Sequence, residues 1–358
     1  MHAEERHQAI LRRVREHGSM RVTDVAGDLG VSPVTIRKDV EVLAERGLLA
    51  RVHGGAMLPE TVAETAPDTA APSPAPGLPL VLGMIVPSAS YYYPDVIKGA
   101  REAAAAQGAR LVLRVSDYDP GEEHAQARQM IDGGIDGLLI APSGEVGRPG
   151  APHWHEELPV PTILLERRPD ENAPAVEHVV TDHVYGARLA VRHLVDIGRQ
   201  RIALLMRGNT PTAPWIEEGY RAGLRAAGLA APEDGGFIDL GGEGYEAVSY
   251  DQPMTTFLDA AAAGRIDAVI VHPENDALAL LQRLRGRGLA VPRDIAVVSY
   301  DDEVAALADV PLTAVAPSKH EVGVTAVELL VLRVRSPHRP RRRMFILPEL
   351  HIRESSSV

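Results

Sequence analysis

From Leu80 onward, short continuous apolar runs recur along the chain. They are LVLGMIVP at 80–87, ARLVLRV at 109–115, DGLLIAP at 136–142, PTILLE at 161–166, RIALLM at 201–206, DAVIVH at 267–272 and IAVVSYD at 295–301. Each is the length of a strand, and most are apolar at successive rather than alternate positions, as expected of strands buried on both faces; ARLVLRV, with Arg110 and Arg114, is the most polar of them. Helix-period stretches separate them. Strand–helix alternation of this kind predicts an α/β body of parallel sheets covered by helices.

Residues 1–58 follow a different period. An amphipathic helix is predicted around Gln8–Val14, with Ile10, Leu11 and Val14 inward. Thr23 is expected to cap a second helix through Val25, Ala26 and Leu29. Then comes GVSP, with Gly30 for a tight turn, Ser32 as N-cap and Pro33 at the first helical position. The third helix is predicted from Pro33 to about Arg46, with Ile36, Val40 and Leu43 inward and Gly47 ending it. Residues 48–56 read as a two-stranded wing with a glycine tip. A helix–turn–helix of this kind lays the first turn of its second helix in the major groove of DNA. Thr35, Arg37 and Lys38 then lie on its open side, where Arg37 suits guanine or phosphate and Lys38 suits phosphate. A solvated basic edge on a protein-binding helix is the alternative.

Between these parts, residues 59–79 hold six prolines and no hydrophobic period. They read as a linker of polyproline II character reaching roughly 60 Å. The predicted organisation is a head at 1–58, a linker at 59–79 and a body at 80–358.

Composition narrows the picture. The 358 residues carry a net charge of −12, yet the first 58 have nine Arg or Lys against eight Asp or Glu. A general nucleic-acid coat is excluded, while a small local reader is not. The absence of cysteine rules out disulfides and thiolate metal sites. No apolar run approaches the roughly 20 residues of a membrane span, and the charged start is unlike a signal peptide. A cytoplasmic protein with no membrane partner is expected.

The stretch GVSPVTIRKDVEVLAERGLLARVHGGA resembles the winged helix-turn-helix of DeoR-family bacterial regulators, with Lys38 where the family has a second arginine. The resemblance implies that Ser32, Pro33, Thr35, Arg37 and Lys38 face double-stranded DNA, with Arg51 and His53 at the wing.

The body resembles the effector domain of LacI-family repressors, which shares its fold with periplasmic sugar-binding proteins. The resemblance rests on seven blocks in order. Among them are VVTDHVYGARLAVRHLVDIGRQRIALL and VIVHPENDALALLQRLRGRGLAVPRDIAVVSYDD. It implies two α/β lobes around a ligand cleft, lobe 1 at about 80–181 and 303–340 and lobe 2 at about 182–302 and 345–358. Crossings are then expected near Thr181–Asp182, Asp302–Pro311 and Arg341–Phe345. Open α/β sheets bind ligands at strand carboxyl ends. That gives a use to SASYYYP, whose three adjacent tyrosines cannot all face one core. Tyr91 and either Tyr92 or Tyr93 would offer ring surface to a sugar. Tyr118, Ser143, Glu166, Tyr245, Asn275, Asp301 and Ser318 follow other strands. The resemblance gives Asn275 and Asp301 the strongest claim on sugar hydroxyls.

Two departures matter. In WIEEGYRAGL, Ile216 stands where the family commonly has a ligand-clamping arginine, so a neutral ligand stacking on Trp215 is expected. The helix that joins head to body in LacI-family proteins is replaced by the proline-rich linker. HWHEE at 153–157 lacks metal-site spacing, and the basic run Arg339, Arg341, Arg342 and Arg343 reads as a solvated turn.

The expectation is a ligand-responsive, dimeric transcriptional regulator. It would be a repressor released by a sugar, polyol or nucleoside, with no cofactor and no enzymatic activity. Paired heads would meet half-sites about 34–36 Å apart. The alternatives are a sugar-phosphate isomerase-like body, as in other DeoR-type proteins, and a transport receptor.

Overall fold

The computed structural model describes residues 6, 10, 13, 19–29, 31–32, 35–36, 38–40, 43, 50–52, 55–57, 79–143, 154, 157–169, 176–232, 236–241 and 251–357. The chain divides into two compact units, Met1–Ala75 and Pro76–Val358. The linker expectation lies almost wholly outside the described residues.

In the first unit, β1 (Ser19–Arg21) leads directly into helix α1 (Val22–Leu29). Thr23 therefore lies inside the first turn rather than at the cap. Residues 35, 36, 38–40 and 43 are helical, and Ile36, Val40 and Leu43 are buried with Ile10, Val25 and Ala26. β2 (Ala50–Val52) and β3 (Gly55–Met57) form the wing, but the sheet has three strands, because β1 pairs antiparallel with β3. The residues before α1 thus supply a third strand beside the two expected of the wing.

The second unit holds two six-stranded sheets. Lobe 1 is built on β4 (Val81–Val86), β5 (Arg110–Val115), β6 (Gly137–Ile140), β7 (Thr162–Leu165) and β8 (Glu177–Thr181), with β14 (Arg343–Ile346) at one edge. Its order is β14-β8-β7-β6-β4-β5, and all pairs are parallel. Helices α2 (Tyr93–Ala106) and α3 (Pro120–Asp132) follow β4 and β5. Pro94 sits in the first turn of α2. Asp119 caps α3 by accepting from the backbone N–H groups of Gly121 at 2.8 Å and Glu122 at 3.1 Å.

Lobe 2 contains α4 (His183–Asp196), β9 (Ile202–Met206), α5 (Ala213–Ala226), β10 (Phe237–Asp239) and α6 (Asp251–Ala262). It continues with β11 (Ala268–His272), α7 (Glu274–Gly286), β12 (Ala296–Tyr300), β13 (Thr313–Ala316) and β15 (Glu349–His351). The order is β10-β9-β11-β12-β13-β15, parallel except for β15. The central strands β9, β11 and β12 are buried at every position, as their unbroken apolar runs require.

Helix α8 (Lys319–Arg335) returns the chain to lobe 1, where it packs on α2. Glycine permits that crossing. A Cβ on Gly99 would lie 2.1 Å from the His320 carbonyl oxygen, and one on Gly323 would lie 2.0 Å from that of Val96.

The lobe boundaries differ from the sequence expectation. β13 pairs with β12 through Val298–Thr313, and Ala305 and Leu312 are buried in the lobe 2 core. The return to lobe 1 therefore falls between Ala316 and Lys319, not at 302–311. The last crossing falls between Ile346 and Glu349, not at 341–345.

Candidate functional site

In the head, Ser32 begins the third helix. Its hydroxyl oxygen accepts from the Thr35 backbone N–H at 3.1 Å and lies 2.9 Å from the Thr35 hydroxyl. Lys38 is exposed, Thr35 is half-buried, and Ile36 between them is buried. Asp39 is buried and accepts from Arg6 at 2.8 and 3.1 Å, tying the first helix to the third. Sequence pattern gave no sign of that pair, which joins residues 33 apart. Arg51 lies in β2. Pro33, Arg37 and His53 lie outside the described residues.

In the body, parallel strands of both lobes end toward a common cleft. Five non-glycine residues among those described have positive φ: Tyr91 (57°), Asp117 (49°), Tyr118 (63°), Glu166 (49°) and Asp301 (79°). All five follow the carboxyl ends of strands β4, β5, β7 and β12. Left-handed backbone at such residues costs energy and concentrates at binding loops.

Tyr91, Tyr92, Glu166 and Asp301 form one network across the lobes. Tyr91 donates its hydroxyl to Asp301 Oδ2 at 3.1 Å. Tyr92 donates to Glu166 Oε1 at 2.7 Å, and Thr181 donates to the same carboxylate from its hydroxyl at 2.8 Å and its backbone N–H at 3.1 Å. His183 of lobe 2 places Nε2 3.5 Å from Glu166 Oε2, a long electrostatic contact, while its Nδ1 lies 3.1 Å from the Tyr300 hydroxyl. Lys319 pairs with Glu303 across the lobes and stands 4.9 Å from the Tyr92 ring centre. Arg168 lies 4.0 Å over the Trp215 ring, joining the loop after β7 to α5.

The carboxylates are held differently. Burial pushes Glu166 up, but His183, Tyr92 and Thr181 outweigh it and hold it below the usual range. Burial raises Asp301, against the opposing pull of Lys319. Glu274, pushed up by burial to about 7, accepts from the backbone N–H groups of Val304 and Ala305 at 3.1 and 2.6 Å. It thereby fixes the turn that follows Asp301. Asp302 instead takes a bidentate grip from Arg353, with both bonds at 2.7 Å, anchoring the carboxyl-terminal segment.

The structure separates the remaining candidates. Tyr93 is buried in the lobe 1 core as the first residue of α2, which corrects its assignment to the ligand. Its ring meets Tyr92 edge-on at 5.6 Å. Tyr118 is exposed. Ser143 donates from its backbone N–H and its hydroxyl to buried Glu123. Ser318 donates weakly to the Leu347 carbonyl, between two crossings. Asn275 is exposed in the first turn of α7, whereas its neighbours Glu274 and Asp276 are buried. Tyr245 lies outside the described residues. Ile216 is fully buried in the lobe 2 core, so that position cannot reach a ligand.

Thr181, His183, Glu274, Glu303 and Lys319 were not singled out as site residues by sequence reasoning. Only the crossing at Thr181–Asp182 hinted at the first two. The crevice bounded by Glu166, Arg168, His183, Trp215 and Phe345 has a volume of about 20 Å³. That is room for about one water molecule.

The family model of a DeoR-like helix-turn-helix domain matches residues 6–62, and that of a periplasmic binding protein-like domain matches residues 191–356. The chain is 28% identical to the ribose operon repressor of Escherichia coli (strain K12) over 289 residues, covering 77% of this chain and 82% of that one. It is 26% identical to the arabinose metabolism transcriptional repressor of Geobacillus stearothermophilus, covering 86% and 82%. A solved complex of the transcriptional regulator CelR with cellobiose aligns with a TM-score of 0.65 at 25% identity, covering 91% of each chain. The chain joins a DeoR-like helix-turn-helix domain to a periplasmic binding protein-like domain of the kind found in LacI-family repressors.

Proposed function

We propose that this chain is a sequence-specific, DNA-binding transcriptional repressor whose affinity for its operator is set by a small polyhydroxylated effector held between the two lobes. The observation that carries the reading is the Tyr91–Asp301 contact. It places a ring and a buried carboxylate from opposite lobes at one point, on the strand ends where α/β folds bind ligands. Thr35 and Lys38, on the helix opened by Ser32, meet DNA, together with Pro33, Arg37, Arg51 and His53.

The effector is a neutral sugar or related polyol. Glu166, Asp301, Glu303 and Glu274 outnumber Lys319 and Arg168 around the cleft, which disfavours phosphate and suits hydroxyl donors. Curated relatives are named for ribose and arabinose, in line with this class. An effector hydroxyl that takes Asp301 from Tyr91 replaces a contact joining the lobes. Its free energy then differs between joined and separated lobes, and only such a difference shifts an equilibrium. The linker makes a lever between cleft and head hard to picture, so rearrangement between bodies in a homodimer carries the signal. The protein acts in the cytoplasm and is not an enzyme. The two-lobed, periplasmic binding protein-like fold supports this reading over an isomerase-like body.

Thermal-shift screening with a panel of pentoses, hexoses, disaccharides and nucleosides tests the reading. A sugar should raise the melting temperature of the unaltered protein and leave Asp301→Ala unmoved. Equal shifts in both proteins would remove Asp301 from the site.

A further inference from the structure

Because every strand of the lobe 1 sheet is parallel, the lobe has two unlike ends. The carboxyl ends carry Tyr91 and Glu166. At the amino ends, β4 begins where the chain arrives from the proline-rich stretch, α8 finishes at Arg335, and β14 starts at Arg343. Between α8 and β14 runs SPHRPRRR, residues 336–343, with Arg339, Arg341, Arg342 and Arg343 within five positions. The chain is at −12 overall and its first 58 residues at +1, so this run sits on a remainder of −13.

The run is held from inside. Glu177, buried at the start of β8, accepts from Arg333 at 2.7 and 3.1 Å and from the backbone N–H of Arg342 at 2.9 Å. Arg333 also donates to the carbonyls of Pro337, Arg339 and Pro340 at 2.7, 2.7 and 3.2 Å. A buried bidentate pair therefore fixes the turn, and the acid nearest to it is already engaged. Arg341, Arg342 and Arg343 are exposed. Arg342 and Arg343 have no ion-pair partner among the described residues. A turn that merely met solvent would need neither a rigid anchor nor unneutralised guanidinium groups. Fork-shaped guanidinium donors carried on a fixed turn suit phosphate oxygens.

We propose that this arginine turn binds phosphates of duplex DNA flanking the segment read by the head, so that the body adds to operator affinity. The inference rests on the regulator reading above. The 21 residues from 59 to 79 span at most about 75 Å, against about 34 Å for one turn of duplex, so flanking DNA lies within reach.

The test uses the full chain and a duplex selected from random sequence by the unaltered protein. Two lengths are compared, the protected core and the core extended by about ten base pairs on each side. The unaltered protein should bind the longer duplex about tenfold tighter. Its salt dependence should steepen by about 2 in log–log slope, at about 0.9 per phosphate. Arg342→Gln/Arg343→Gln should lose both gains, with core binding and melting temperature kept. Arg342→Lys/Arg343→Lys should retain most of the gain, and it reports on charge should the first variant fold poorly. An equal flank effect in the glutamine variant, or none in the unaltered protein, overturns the proposal. Failure of the unaltered protein to select any duplex would bring down the regulator reading and this proposal with it.

Discussion

Tyr91 of lobe 1, with φ at 57°, donates its hydroxyl to Asp301 of lobe 2, with φ at 79°, across 3.1 Å. Two residues 210 apart in sequence, each on left-handed backbone, thus join the lobes. Tyr91→Phe keeps the ring and removes the donor. A hydrogen bond contributes about 0.5–1.5 kcal/mol to a neutral acceptor and about 1.5–3 kcal/mol to an ionised one. The urea midpoint of the variant should fall accordingly, and small-angle scattering should show a wider body. An unchanged midpoint would mean the bond contributes nothing to closure.

Asp301 also sets a pH dependence. Burial raises its carboxyl above its ordinary value near 3.8. A raised acid holds its proton in the folded chain where the unfolded chain has lost it. Its contribution to stability is therefore full below the ordinary value and is lost as pH rises through the folded value. The side-chain amide introduced by Asp301→Asn has no proton to lose in this range, so the variant's melting temperature should gain on the unaltered protein as pH rises from about 4 to about 7. Glu274, at about 7, contributes with the same sign. A gap between the two proteins that stays constant with pH would contradict the assignment.

The α2–α8 crossing gives a packing prediction. Gly323→Ala would set a Cβ 2.0 Å from the Val96 carbonyl oxygen, so the helices must separate. A loss of about 2 kcal/mol or more is expected, as for overpacked cores. Gly286→Ala is the control: nothing lies within 4 Å of that Cβ, and a gain of up to about 1 kcal/mol is expected. Chemical denaturation of both variants checks the pair.

Much of this was legible in the sequence because continuous apolar runs have few alternatives to a doubly covered strand. RIALLM and DAVIVH became the fully buried β9 and β11. The edge strand β14, RMFI, alternates exposed and half-buried positions and gave no such run. The tyrosine triplet was legible as chemistry but not as geometry. The helix begins at Tyr93, which turns that ring into the core and leaves Tyr91 and Tyr92 for the cleft. No local pattern reveals that His183 meets Glu166, because their contact exists only once the lobes close. The return crossing was misplaced because PLTAV is equally a strand for either sheet, and pairing with β12 decides it.

On the head, Lys38 is exposed on the helix opened by Ser32. Lys38→Ala should weaken binding to all duplexes alike and lower the salt slope by about 1. Melting should be nearly unchanged, since Lys38 is exposed and lies outside the buried cluster of the head. A selective loss at a single base pair would instead make Lys38 a base reader.

The central claim is that occupancy between the lobes is linked to the grip on DNA. Its most direct measurement is the fluorescence anisotropy of a labelled operator duplex titrated with the full chain, at fixed salt, with and without a saturating sugar that raises the melting temperature. The account predicts that the sugar changes Kd about 5–150-fold and that Asp301→Ala abolishes the change. Identical Kd values with and without a sugar that demonstrably binds would contradict it.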